Sequence, residues 1–132
     1  ERFNLIAYSE LMLVASGTAV HECAIMETPH IICYKLPPLH DLIYSTFSRF
    51  LLPYYGFTNI MAKKEVAPEL IRSNCNRVRI AQVAEEILLT PARLNTMRSE
   101  LANLKAKLCK PSVIESAASA IAKVLREKKI IG

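Results

Sequence analysis

The stretch Leu11-Met12-Leu13-Val14-Ala15-Ser16-Gly17-Thr18-Ala19-Val20-His21-Glu22 decides how this chain folds. Leu11 to Val14 is a short continuous apolar run that stops at Ser16-Gly17. Ile31-Ile32-Cys33-Tyr34 is a second run, bounded by Pro29 on one side and Pro37-Pro38 on the other. Short apolar runs between breakers read as strands buried on both faces. Thr18 to Glu27 has the length of a short helix, with Gly17 at its entry. Strand, glycine turn, helix and strand make a βαβ unit, which predicts an α/β fold around a parallel, helix-covered sheet.

Working outward, Leu39 to Leu52 carries a helical apolar stripe that ends at Pro53. Thr58 to Ala67 reads as loop with room for one short strand, and Pro68 is predicted to open a helical turn. From residue 73 the texture changes to helix. Ile80, Val83, Ala84, Ile87 and Leu88 line one face. Thr90-Pro91 offers an N-cap followed by proline at the first helical position. Leu94, Met97, Leu101, Leu104 and Leu108 then form a narrow seam at 3-4-3-4 spacing. After Pro111, Ser112-Val113-Ile114-Glu115 has capping-box form, opening a helix predicted to turn Ala117, Ala120, Ile121, Val124 and Leu125 inward. The organisation expected is an α/β portion over residues 1–72 and a helical region of the same domain over 73–132.

Of the 132 residues, 52% are hydrophobic and 22% charged, which excludes disorder and fibrous classes. No window approaches the ~20 uncharged apolar residues of a membrane span. No secretory signal opens the chain; Glu1 leads directly into an amphipathic segment, so the sequence reads as a piece of something longer. The net charge of +5 is uneven: residues 1–72 balance at −1 and residues 73–132 at +6. A basic half suits an anionic partner such as nucleic acid, lipid headgroups or a nucleotide, and equally suits a solvated helical surface. Cys23, Cys33, Cys75 and Cys109 form no C-x-x-C pair, and His21-Glu22 has no second His one turn on, so no metal is expected. Cys23 and Cys33 lie in apolar runs and read as core residues of a reduced, cytoplasmic protein.

The chemistry concentrates at Ser16 to Glu22. The segment falls where a strand ends and a helix begins, at the carboxyl edge of the sheet, where open α/β folds collect ligands. Gly17 allows close approach of the backbone, and the Thr18 and Ala19 amides become donors at a positive helix end, suited to phosphate. Glu22, one turn on, can accept from a ribose diol. An ordinary N-cap with a carboxylate placed for the helix dipole would look the same.

Further landmarks follow in order. Pro29 and the strand ending Tyr34-Lys35 come after Ala15-Ser16-Gly17-Thr18-Ala19-x-x-Glu22. Thr58-Asn59-Ile60, Val66-Ala67-Pro68-Glu69-Leu70-Ile71 and an Ala-rich last helix complete the set. Together they resemble the C-terminal half of the lipid-A-disaccharide synthases over nearly the whole chain. That resemblance implies a partial Rossmann-like parallel sheet from a two-domain (GT-B) glycosyltransferase, followed by a helical tail. It implies transfer of 2,3-diacylglucosamine from its UDP donor to 2,3-diacylglucosamine 1-phosphate, without a cofactor. By the same carry-over, Ser16, Gly17, Thr18 and Ala19 face the diphosphate or ribose, Glu22 the ribose hydroxyls, and Asn59 and Glu69 the interdomain cleft. Arg72 stands where the family has Gln and offers a phosphate contact that Gln lacks. Thr58 replaces a usual Pro, and His21 a usual apolar residue. The catalytic residues are expected in an N-terminal part that this sequence lacks.

Tyr44 to Phe57 crowds aromatic side chains around Arg49 beside the basic half, a mix that suits either a membrane interface or a core helix. Acylated substrates make the first useful, so the expected place is the cytoplasmic face of the inner membrane, with a homodimer as a candidate assembly. Two alternatives stay open. One is another GT-B nucleotide-sugar enzyme, a peptidoglycan glycosyltransferase or a nucleotide-sugar 2-epimerase. The other is a non-enzymatic basic module binding nucleic acid, which the scatter of Arg77, Arg79, Arg93, Arg98, Lys105 and Lys107 over several helices disfavours, so no nucleic acid is expected.

Overall fold

The computed structural model describes residues 1–35, 53–109 and 112–128. The chain opens with helix α1 (Arg2–Tyr8), then β1 (Met12–Ala15), α2 (Thr18–Ile25) and β2 (His30–Tyr34). Helix α3 (Phe57–Ala62), β3 (Glu69–Ile71) and a 3-10 turn (Arg72–Asn74) follow. Three helices close the order: α4 (Arg77–Leu88), α5 (Pro91–Leu108) and α6 (Val113–Glu127). The three strands form one parallel sheet in the order β1-β2-β3. The register runs Met12↔His30 to Ala15↔Cys33, and Ile32↔Glu69 to Tyr34↔Ile71. Fold and strand order are those of a partial Rossmann-like α/β unit with a helical tail.

The central strand explains the continuous apolar run. Successive strand side chains point to opposite faces, so Ile31 packs with Ala24, Leu70, Val83, Ile87 and the α5 seam, while Ile32 packs with Ile6, Val14, Val20 and Cys23. Both isoleucines are fully buried, as a strand covered on both faces requires. Strand β1 differs from the expectation. Val14 is buried but Leu13 is 55% exposed, so among the described residues only one face of β1 is covered. Leu94, Met97, Leu101 and Leu104 of α5 are buried in the cluster that holds Ala24 and Ile31. Residues from both sides of position 72 thus share one core.

Helix α2 ends in a Schellman arrangement. Thr28 N donates to Cys23 O at 2.9 Å and Glu27 N to Ala24 O at 3.3 Å, with Glu27 left-handed at φ 58°. Glycine usually takes that position. Here the Glu27 carboxylate accepts from Lys105 Nζ at 2.7 Å, tying the end of α2 to α5.

Three expectations need correction. Residues 57–62 are helix, not loop. Thr-Asn-Ile is a weak helix sequence, and the helix exists because Asn59 and Thr58 are both anchored in the core, as described below. Pro68 opens a strand rather than a helical turn; its carbonyl accepts from Ile32 N at 2.9 Å, and proline is tolerated just before a strand. In α6 the stripe predicted to face inward stays exposed: Ile121 is 61% and Val124 50% accessible. A helix buries its apolar stripe only against a covering surface, and none of the described residues covers this one. The stripe from Leu39 to Leu52 lies outside the described residues.

Candidate functional site

Ser16 and Gly17 form the bend between β1 and α2 at the carboxyl edge of the sheet. Gly17 is the N-cap of α2, with φ 164° and ψ −155°. That is extended backbone open to any residue, so the turn does not require glycine for its conformation. Packing does not require it either, because a Cβ built on Gly17 meets nothing within 4 Å. Lacking a side chain, Gly17 cannot cap the helix, and Thr18 and Ala19 lead α2 with amides that receive no side-chain acceptor from it. The first turn is held by Val20 N donating to Gly17 O at 3.2 Å. His21 Nδ1 lies 3.2 Å from the same carbonyl, and its ring stacks on Phe57 with centroids 3.8 Å apart. That half-buried packing makes His21 a link between α2 and α3.

Glu22 sits one turn into α2, on the face shared with Thr18. Its half-buried carboxylate is ion-paired with Arg2 of α1, itself largely exposed. The sequence reading missed Arg2. Nothing in the spacing of residues 2 and 22 announces the pair, which depends on how α1 folds over α2.

Asn59 and Glu69 come together away from that turn. Asn59 is fully buried, and every polar position of its amide is engaged. Nδ2 donates to Ala67 O at 2.6 Å and to Glu69 Oε1 at 2.8 Å. Oδ1 accepts from Val66 N at 2.8 Å and Ala67 N at 2.9 Å. The Glu69 carboxylate also accepts from the amides of Tyr55 and Gly56, both at 2.9 Å. Gly56 is a place where glycine is needed: a Cβ there would stand 2.2 Å from Ile32 Cδ1 and 3.1 Å from Glu69 Oε1. The pair therefore clamps the loop before α3 to the segment entering β3.

Arg72 is half-buried at the carboxyl end of β3, with φ 62°. The register places Glu69 level with Val14 and carries Arg72 to about the level of Gly17, two strands across the same edge. Parallel strands lie about 4.8 Å apart, so Arg72 and the Gly17 turn flank one stretch of that edge. Ser16, Gly17, Thr18, Ala19 and Glu22 thus form one group and Asn59 with Glu69 a second. Arg72 stands on the edge of the first.

A buried pair beneath α3 accounts for Thr58. His30 and Thr58 are both fully buried. Among the described residues His30 Nδ1 meets the Thr28 carbonyl alone, at 2.9 Å, which assigns the ring proton there, and Thr58 Oγ1 donates to Nε2 at 3.0 Å. Burial lowers the His30 pKa from its ordinary 6.5, the Thr28 contact opposing this in part. An imidazolium disfavoured in the folded state leaves the unfolded chain holding more protons as the pH drops through 6.5. Stability from this site is therefore complete above that value and is lost as pH falls toward the depressed folded pKa. We expect the thermal midpoint to fall between about pH 7 and about pH 5, with a slope of up to roughly 1.4 kcal/mol per pH unit. His30→Gln should flatten that part of the profile. An identical slope in the variant would remove His30 from the account.

Among the described residues, three basic side chains of the helical tail are ion-paired, Lys123 with Glu127 at 4.0 Å being one. Arg93 pairs with Glu86, and Lys105 with Glu27. Lys64 meets Glu100 at 2.6 Å. Of the aromatic segment, Tyr44 to Leu52 lies outside the described residues, while Phe57 packs against the core. No helix among the described residues is long and apolar enough to cross a membrane, and no group of three or more candidate metal ligands occurs among them.

The parallel βαβ unit and the helices that follow it define a partial Rossmann-like α/β fold. A family profile described as Lipid-A-disaccharide synthetase matches residues 1–124. The chain is 39% identical over 118 residues to the lipid-A-disaccharide synthase of Syntrophus aciditrophicus, covering 88% of this chain and 30% of that protein. It is 32% identical over 121 residues to the one of Synechocystis sp., covering 92% and 31%. To the one of Sulfurihydrogenibium sp. it is 33% identical over 125 residues, covering 95% and 32%. This chain belongs to the lipid-A-disaccharide synthase family. It spans about 30% of the length of the curated relatives it matches.

Proposed function

We propose that this chain supplies part of the nucleotide-sugar site of a glycosyltransferase. The reaction is transfer of 2,3-diacylglucosamine from UDP to the hydroxyl of 2,3-diacylglucosamine 1-phosphate. The acceptor oxygen attacks the anomeric carbon, the bond to the diphosphate breaks, and UDP leaves with the electron pair. The acceptor's proton goes to a base in the part of the relatives that this chain does not span. What the chain contributes is electrostatic. Negative charge growing on the departing diphosphate meets the Thr18 and Ala19 amides and the positive end of α2. Arg72, on the same edge, adds a cation that the usual Gln would not. Ser16 borders the diphosphate. Glu22 exchanges its exposed Arg2 partner for the ribose hydroxyls. Asn59 and Glu69, whose polar atoms are spent on the chain itself, act as positioning residues that hold the loop before α3.

The observation that carries this reading is the Gly17 turn: its amides are uncapped at the carboxyl edge, with a carboxylate one turn on. Acylated substrates support a place at the cytoplasmic face of the inner membrane, and a homodimer is compatible with the exposed α6 stripe. Glu22→Ala in the whole protein is expected to weaken UDP binding by roughly tenfold to a hundredfold, equivalent to about 1–3 kcal/mol. Calorimetric titration measures this. Undiminished UDP affinity would take Glu22 out of the site.

A further inference from the structure

Helix α1 packs beside α2, with Ile6 buried in the cluster that holds Val14, Val20 and Cys23. Thr28 Oγ1 donates to Ile6 O at 2.9 Å, which pins the last turn of α1 at the amino edge of the sheet, where β2 begins. The helix therefore runs against β1, and its first turn points back toward the carboxyl edge. Arg2 is on that first turn, and its guanidinium meets the Glu22 carboxylate. The guanidinium carbon also lies 5.3 Å from the centre of the Phe3 ring. The Arg2 side chain is 68% accessible and that of Glu22 20%, so the cation is the member of the pair able to turn away. Exposed ion pairs are worth little, so leaving this one costs little. Glu22 and Thr18 are one turn apart on α2, about 5.4 Å along its axis, which is within the sweep of an arginine side chain.

On the reading of Ser16 to Glu22 as the nucleotide site, we propose that Arg2 is a further nucleotide-binding residue, passing from the Glu22 carboxylate to the diphosphate when a nucleoside diphosphate binds. Without nucleotide, Arg2 and Glu22 neutralise each other. Ribose hydroxyls that engage Glu22 displace the guanidinium. The released cation, one helical turn from the Thr18 and Ala19 amides, then meets the phosphates those amides face. Guanidinium suits this transfer because its fork holds phosphate oxygens in pairs as readily as it holds a carboxylate. A nucleoside without phosphates breaks the same ion pair and offers the cation nothing in return. Arg2 therefore favours UDP and opposes uridine, two effects of opposite sign from one side chain. It is a specificity-determining residue for the diphosphate over the bare nucleoside.

The test is calorimetric titration of UDP, with uridine measured by displacement, on the whole protein and its Arg2→Gln, Arg2→Lys and Glu22→Ala variants. Arg2→Gln should bind UDP about tenfold more weakly. It should bind uridine as tightly as the unaltered protein, or up to about fivefold more tightly. Arg2→Lys should keep part of the UDP affinity, because it keeps the charge without the fork. Arg2 is exposed, so both Arg2 variants should melt within about a degree of the unaltered protein. UDP affinity unchanged in Arg2→Gln, or UDP and uridine weakened by the same factor, overturns the proposal; the second result would make Arg2 a prop for Glu22. Glu22→Ala separates this outcome from failure of the site itself. If that variant loses UDP affinity while Arg2→Gln does not, the site stands and only the role of Arg2 falls.

Discussion

Replacing Asn59 with Leu should destabilise the fold by about 3–5 kcal/mol, the largest effect expected of any single substitution here. The side chain is fully buried and makes four hydrogen bonds, three of them to the backbone of Val66 and Ala67. Leucine keeps the volume and removes every partner. Two buried amides and a carbonyl would be orphaned, each worth about 1–3 kcal/mol before the loop relaxes. Total stabilities of about 5–15 kcal/mol make that a serious loss. Asn59→Asp separates the contributions, since it retains the acceptor for the two amides but sets a carboxylate oxygen against Glu69 Oε1, 2.8 Å away, and Ala67 O. Its deficit should shrink as the pH falls, because a proton shared between the two carboxyls restores the lost donor. Thermal unfolding of the whole protein across pH provides the comparison. A Leu variant that melts within a degree or so of the unaltered protein would show that the loop does not depend on Asn59.

The βαβ unit was legible because its signals are local: an apolar run, a breaker, a helix length and a second run, all within about 25 residues. The seam of α5 was legible for the same reason. What escaped the sequence depends on partners distant along the chain. Helix α3 has poor intrinsic propensity, and it is fixed by Thr58 reaching His30 and Asn59 reaching Ala67 and Glu69. Thr58 looked like a mere departure from a family pattern; its hydroxyl in fact satisfies a buried imidazole. Pro68 carries the same local preferences at a helix start and at a strand entrance, and only the pairing with Ile32 decides. The α6 stripe shows a periodicity that predicts burial, yet periodicity says nothing of where the covering surface lies.

The site divides in the same way. The turn from Ser16 to Ala19 and the place of Glu22 follow from the strand-to-helix junction. The engagement of Glu22 with Arg2, and of Asn59 and Glu69 with each other, does not. Asn59 and Glu69 were expected along a cleft; their hydrogen bonds show that both hold the loop before α3.

The Gly17 turn as the diphosphate seat is the central claim, and one substitution isolates it. Gly17 has extended backbone, and a Cβ on it meets nothing within 4 Å. Threonine is a competent N-cap, so Gly17→Thr should leave the melting temperature of the protein unchanged. Its side chain nevertheless stands in front of the Thr18 and Ala19 amides and offers its own oxygen to them. Calorimetric titration of UDP into the whole protein should therefore show affinity reduced by about a hundredfold or more, roughly 2.7 kcal/mol, at unchanged stability. UDP bound by Gly17→Thr as tightly as by the unaltered protein would contradict the account.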